Sequence, residues 1–391
     1  LLQANDLIGL TVLNQSLLNS IPDGFPADLT GGNLSYLKNV LESPSYGFER
    51  NGKFYKPTQR EILTEFLNRL NLFNSRKNWL SAFFWITNLA LALPLTLFLT
   101  HYFSLSLLLI GMVYSMVILG TYGTFYLHRY STHHAFTFTN SVWRLIGRNL
   151  VIKVIPEEVY VISHHVHHQY SEQAGDPYNV HGGWLYCFLA DVNHQGIRRD
   201  LSEAEYKRLV RMIEKSGVQA NRYDQYLKWG SLCHPVNTIL HYTLNWAFWY
   251  GTFYLLGGHA LATAIFGCTV IWAFGVRTYN FDGHGGGKDR RQEGIDFNRA
   301  DLSVNQIWPG FVAGEWHNNH HLFPNGARSG FLSYQMDSAW ILIRFFHWIG
   351  GISSYRDYKA EFIRDYWTPY QNSRQEGPSE DPSLKGLVEH S

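Results

Sequence analysis

From Asn78 to His128 the chain carries no Asp, Glu, Lys or Arg, and a second uncharged run extends from Trp229 to Val276. Each run is about fifty residues long, enough for two membrane-crossing helices of roughly twenty residues apiece. Runs of this length are hard to hide in a water-soluble fold, whose helices turn a polar face to solvent. The first run predicts spans near 79–99 and 104–125, split by Thr100-His101-Tyr102-Phe103. The second predicts spans near 238–256 and 260–279, split by Gly257-Gly258-His259. Aromatic residues crowd the ends of both runs, as an interfacial belt does. Charged residues make up only 16% of the chain, against about 25% in soluble domains. The mean hydropathy is nevertheless −0.18, so a soluble body must accompany the spans. A net charge of +1 gives no pull toward nucleic acid. The expected fold class is mainly α, an integral membrane protein with four transmembrane helices and a helical cytoplasmic domain.

The loops suggest an orientation. Arg76 and Lys77 precede the first span, Arg129 follows the second, Lys228 precedes the third and Arg277 follows the fourth. The two short connections hold no Lys or Arg. Positive charge on the inside then places both termini and the long 126–237 segment in the cytoplasm. Residues 1–74 read as an N-terminal cytoplasmic segment and 75–365 as the membrane domain, with cytoplasmic parts at 126–237 and 280–365. Residues 366–391 read as a polar tail, disordered by composition from about Asn372. A start at Leu1 rather than Met points to a trimmed terminus. Residues 1–56 carry Gly31-Gly32 and Asn51-Gly52 turn signals and no signal peptide.

Thr58 with Glu61, and Ser202 with Glu205, are capping boxes that open helices. The first helix is amphipathic and lies either along the membrane surface or on the soluble body. Another amphipathic helix is expected around Asp337–Trp348. Cys187, Cys233 and Cys268 have no metal or redox spacing, and an odd count suits free thiols in a reducing compartment.

Histidine is the compositional outlier, with 19 residues. In His164-His165-Val166-His167-His168, residues 164, 167 and 168 stand at i, i+3 and i+4 and share one helix face. Neutral imidazole is the commonest nitrogen ligand for a transition metal. A solvated His-rich tract is the alternative for this cluster alone. Three further clusters occur: His128-Arg129-Tyr130-Ser131-Thr132-His133-His134, Asn280-Phe281-Asp282-Gly283-His284, and Glu315-Trp316-His317-Asn318-Asn319-His320-His321. Two hydrophobic hairpins would bring these clusters to one side of the membrane.

The motifs HxxxxH (His128, His133), HxxHH (His164, His167, His168) and HxxHH (His317, His320, His321) resemble the three histidine boxes of membrane fatty-acyl desaturases. The stretch from His164 to Asn179, with Ser171-Glu172 and Asp176-Pro177-x-Asn179, is similar to the second-box region of stearoyl-CoA desaturases. The pair Asn280 and His284 is similar to that subgroup too. The resemblance covers about residues 75–365. It implies nine metal-ligating histidines: His128, His133, His164, His167, His168, His284, His317, His320 and His321. Asn280 would act through a metal-bound water. Nine nitrogen ligands exceed what one ion can take, and an all-nitrogen set suits iron better than magnesium or calcium. Two iron ions are therefore implied, with O2 as co-substrate. Glu172 and Asp176 would either fix ring orientation or be plain surface carboxylates, while His134 and His165 would be supporting or structural.

Removing hydrogen from an unactivated methylene needs a cofactor. The resemblance implies O2-dependent insertion of a C=C bond into an acyl chain. Gly285-Gly286-Gly287-Lys288 follows a span instead of a strand, so it is a turn rather than a dinucleotide fingerprint. His181-Gly182-Gly183 lacks the companion residues of a fused cytochrome b5. Electrons would then come from an external ferredoxin or cytochrome b5.

One departure concerns the substrate. After Asn179 the chain has no Lys or Arg before Arg198, where stearoyl-CoA desaturases carry residues that grip coenzyme A. The acyl group could be linked to coenzyme A, a carrier protein or a lipid, with Asn179 and Trp184 as candidate substrate contacts. The Asn318-Asn319 spacer of the third box resembles bacterial members, which implies a bacterial inner membrane, or the endoplasmic reticulum in a eukaryote. The same scaffold supports hydroxylation, acetylenation and decarboxylation. A non-catalytic membrane metal-binding protein is the alternative from another class.

Overall fold

In this computed structural model, residues 37, 40–194, 196–299, 301–302 and 316–375 are described. Helix α1 (Gln59–Leu70) begins at the expected capping box. The Thr58 hydroxyl accepts from Glu61 N at 3.3 Å, and the Glu61 carboxylate accepts from Thr58 N at 2.7 Å. Its Ile62 packs with Tyr186, Cys187 and Leu189, so α1 lies on the protein body, with Leu63 and Leu67 left exposed.

Among the described residues, three helices are long and apolar enough to cross a membrane: α2 (Arg76–Tyr102), α3 (Leu105–Thr132) and a third of 49 residues (Pro235–Gly283). After α3 come strand β1 (Phe136–Phe138), helix α4 (Ser141–Arg148), helix α5 (Glu157–Tyr170) and helix α6 (Glu203–Ile213). The Ser202–Glu205 capping box opens α6 as expected. The 49-residue helix is α7. It is followed by α8 (His317–Leu322), α9 (Ser338–Trp348) and β2 (Ile352–Tyr355), which pairs antiparallel with β1.

A straight helix of that length would span about 73 Å, but α7 folds back on itself. Gly257 and Gly258 are non-helical, and Gly258 has φ 64° and ψ −166°, a combination nearly confined to glycine. Trp246 and Tyr250 consequently lie 6.0 and 5.4 Å from the ring of Phe266. Along a straight helix, residues sixteen apart would be separated by about 24 Å. The break falls at the predicted Gly257-Gly258-His259 connection. The returning arm packs tightly on α2. A Cβ at Gly267 would sit 2.5 Å from Leu95 Cα, the close approach that small residues permit between apolar helices.

Helix α5 is central. Its Val159 joins the large apolar cluster that includes Phe125, Ile155 and Trp272. Its Ile162 and Val166 face Leu209, Met212 and Ile213 from α6. Its first turn is held by charge. Buried Glu157 contacts Arg148 at 2.7 Å and Lys153 at 2.6 Å, while Glu158 accepts from Ser231 Oγ at 2.7 Å and Cys233 N at 3.0 Å. Both acids also sit where the helix dipole favours them. Cys187, Cys233 and Cys268 are buried and free.

Two sequence expectations change. Arg129 and Arg277, counted as loop charges, are both buried. Arg129 meets Asp337 at 3.0 Å, and Arg277 pairs with Asp191. Internal ion pairs say nothing about which side of a membrane a loop occupies, so only Arg76, Lys77 and Lys228 remain as charges that bear on orientation. The polar tail is also helical at its start, over Thr368–Gln375. Gly31-Gly32 and residues 376–391 lie outside the described residues.

Candidate metal centre

The first box shows how local geometry makes a site. Histidines five apart stand about 140° apart on an α-helix and cannot share a face. Over Gly123–Thr132, however, α3 widens to a π-helix, with His133 N donating to His128 O at 3.0 Å. The i→i+5 register brings the two rings to 4.8 Å between centroids. Such bulges recur at functional sites.

The other two boxes divide in matching ways. On α5, His164 and His168 go to one group and His167 to another. On α8, His317 and His321 join His167, whereas His320 joins His164 and His168. One group is His128, His133, His164, His168 and His320. The second is His167, His284, His317 and His321. Within each group the candidate ligand atoms lie within 4.8 Å of one another. All nine histidines singled out from the sequence are in these two groups. The groups adjoin, with the His168 and His321 rings stacked at 4.6 Å.

Several ring nitrogens face one another at close range. His168 Nε2 is 3.1 Å from His164 Nε2 and 2.9 Å from His320 Nε2, and His317 Nε2 is 2.9 Å from His284 Nε2. Neighbouring ligands on an octahedral ion with metal–nitrogen bonds of about 2.1 Å would be about 3.0 Å apart. The Nε2 atoms of His133, His167 and His321 are buried without a hydrogen-bond partner. Buried polar atoms rarely stay unsatisfied, so the residues fit a pair of bound metal ions. Burial first, and neighbouring imidazoles second, push His133, His164, His168, His317 and His320 well below the usual imidazole range. These rings are neutral near pH 7, the form that ligates.

Carboxylates aim the second group. His167 Nδ1 is 2.9 Å from Asp176, His284 Nδ1 is 3.0 Å from Glu172, and His321 Nδ1 is 2.8 Å from Asp301. Each contact occupies Nδ1 and leaves Nε2 for an ion. Glu172 and Asp176 were singled out from the sequence for this role, whereas Asp301 was not. Asp301 lies far along the chain from the second box, and nothing in its spacing marks it. Asp301→Asn is expected to lower activity roughly 10- to 100-fold, the usual cost of losing such a partner. Activity and bound metal, measured together on the purified variant, check this.

The remaining candidates occupy different positions. His165 is half-buried beside His133 with its Nε2 out of solvent, and desolvation pulls its pKa down to about 4. His134 is likewise driven by burial to about 3. Asn318 and Asn319 anchor α8, donating to Asp296 and to Ser329 O. Asn179 is fully buried, with its amide donating to Gln173 O and accepting from His181 N. Trp184 is half-exposed and stacks on Phe188 at 4.6 Å. Glu315 lies outside the described residues.

A cavity reaches the histidines from the helical bundle. Phe84, Ile155, Val159, Trp272 and Val276 give it apolar walls, and His128, His164, His317 and Asn280 also line it. Gly120 and Gly123 leave the α3 wall bare, and a Cβ at Gly123 would come within 2.9 Å of Trp272. Neither Asn179 nor Trp184 lines this cavity.

Three apolar helices of membrane-crossing length, together with two largely buried histidine groups, define a membrane-type protein with a candidate two-metal centre among the described residues. Residues 102–340 match the fatty acid desaturase family. The chain belongs to that family and is an oxidoreductase acting on fatty acyl groups. It is 26% identical over 289 residues to Delta-9 acyl-lipid desaturase 2 of Arabidopsis thaliana, covering 69% of this chain and 79% of that protein. It is 28% identical over 232 residues to Delta-9 desaturase-like 2 protein of the same plant, covering 58% and 69%. With Acyl-CoA C20 Delta5-desaturase of Anemone leveillei it shares 25% identity over 240 residues, covering 60% and 69%.

Proposed function

We propose that the two histidine groups hold two iron ions and that the chain inserts a C=C bond into an acyl chain lying in the cavity that reaches them. The observation that carries this reading is the division of nine histidines, seven buried and His168 and His321 half-buried, into groups of five and four at the end of an apolar cavity. Imidazole donors suit first-row transition metals, and iron among them couples to O2 chemistry. When bound, the metal supplies the oxidising power for breaking unactivated C–H bonds, which no side chain can provide.

The protein's own residues bind, orient and exclude. The apolar walls take the methylenes and keep water away from the site. Asp176, Glu172 and Asp301 hold their imidazoles in one tautomer and one plane. Asn280, on the cavity wall with His317, would offer its amide to a water bound at the centre. Electrons arrive from an external ferredoxin or cytochrome b5. Relatives named for acyl-lipid and acyl-CoA substrates leave both linkages in play, and a carrier-protein ester is the third. Asn179 would support the entrance by fixing its turn, and Trp184 would meet the headgroup.

The two arms of α7, with α2 and α3, make four crossings. Arg76, Lys77 and Lys228 then mark the cytoplasmic ends, which places both termini and the histidine groups on that side, in a bacterial inner membrane or the endoplasmic reticulum. Residues 75–365 form the desaturase domain, with 1–74 and 366–391 as appended segments.

Expression in a host that lacks unsaturated fatty acids, followed by mass spectrometry of its lipids, tests the reaction. A new double bond supports desaturation. A product heavier by one oxygen would make the chain a hydroxylase, and unchanged lipids with an active electron donor would contradict both.

A further inference from the structure

A second cavity, of about 490 Å³, shares no lining residue with the acyl cavity. It lies between the β1–β2 ribbon, the start of α4 and the turn carrying Lys215. That volume is within the range of small-molecule sites, roughly 300–1,000 Å³. Arg144, Lys215 and Arg356 line it, together with His134, Tyr130 and Ser141, and none of the lining residues is a carboxylate. None of the three cations has an ion pair among the described residues, and Arg356 Nη1 is buried without a hydrogen-bond partner. A guanidinium nitrogen left in that state is costly unless an anion completes it.

The surroundings suggest where the anion comes from. Val142 and Leu145 on α4 are 62% and 60% exposed, and Ile341 and Trp348 on α9 are 59% and 80% exposed. Trp143 and Phe346 join the two helices at 5.9 Å between rings. The short helices thus present apolar side chains on a protein that also has three helices long and apolar enough to cross a membrane, the arrangement of elements that lie in the headgroup layer. Cations beside such a face meet lipid phosphates first.

We propose that this cavity binds the phosphate of an anionic phospholipid, held by Arg144, Lys215 and Arg356. The lipid would pin the β1–β2 ribbon, whose first strand follows directly from the His133 box, to the membrane surface. The site is separate from the proposed iron centre and does not require that the reaction be the one proposed above.

Native mass spectrometry of the delipidated, iron-loaded protein tests it by titration with phosphatidylglycerol, with uncharged diacylglycerol, and with inorganic phosphate. Phosphatidylglycerol is expected to be retained and diacylglycerol lost. Lys215→Gln and Arg356→Gln should each weaken retention about fivefold, from about 1 kcal/mol per cation near a charged lipid surface. Lys215 is exposed, so its variant should fold, and unchanged iron content verifies this for both. Equal retention of the two lipids, or equal retention by wild type and both variants, would overturn the proposal. Inorganic phosphate that binds and is not displaced by phosphatidylglycerol would also overturn it, by making the cavity a site for soluble anions.

Discussion

Replacing His167 by alanine is expected to abolish desaturation, lowering the rate by at least about a thousandfold. Loss of a partner that merely orients a ligand costs roughly 10- to 100-fold, and loss of a ligand costs more. His167 is the only residue of the second box that points into the second group, which would be left with His284, His317 and His321. The first group keeps all five of its histidines. The variant should therefore retain metal in one group while losing it from the other, and should stay folded. Lipid analysis in the unsaturate-deficient host gives the activity, and metal analysis gives the occupancy. Full activity in this variant would remove His167 from the centre.

Arg129→Ala and Asp337→Ala are expected to destabilise the fold by about 3–5 kcal/mol each, the usual cost of breaking a buried ion pair. Arg129 sits between His128 and His133, fully buried. Its guanidinium donates to Ala327 O at 2.7 Å, to Ser329 Oγ at 2.8 Å and to Asp337 at 3.0 Å. Asp337 in turn accepts from the backbone N–H groups of Ser329, Gly330 and Trp340, the last of these capping α9. The pair thus ties the first box to the segment that follows the third. Asp337→Ala should cost the more, because it strands three backbone donors as well as the guanidinium. Arg129→Met, which refills the space without charge, should be milder than Arg129→Ala. Thermal unfolding in detergent measures the order of the three, and a wild-type midpoint for Asp337→Ala would contradict the role given to the pair.

Much of this architecture is legible in the sequence because it depends on patterns that are local. Charge-free runs mark the apolar helices, Gly257-Gly258 marks the fold-back in α7, and Thr58-Glu61 and Ser202-Glu205 mark helix starts. The histidine motifs pick out nine residues that the fold brings together. What the sequence hides is tertiary. A helical wheel puts His164, His167 and His168 on one face, but packing against two other elements assigns His167 to a different group from its neighbours. An α-helical reading of 123–132 cannot show that a π-helix brings His128 to His133. Arg129 and Arg277 look like loop charges until Asp337 and Asp191, each far away in the chain, are seen beside them. Asp301 becomes visible only when His321 is placed against it.

Metal analysis of the purified wild-type protein by inductively coupled plasma mass spectrometry tests the proposed centre most directly. Two groups of ligands predict two iron ions per chain, falling toward one in His167→Ala. A single ion per chain, or zinc in place of iron in protein that is active, would contradict the two-iron centre.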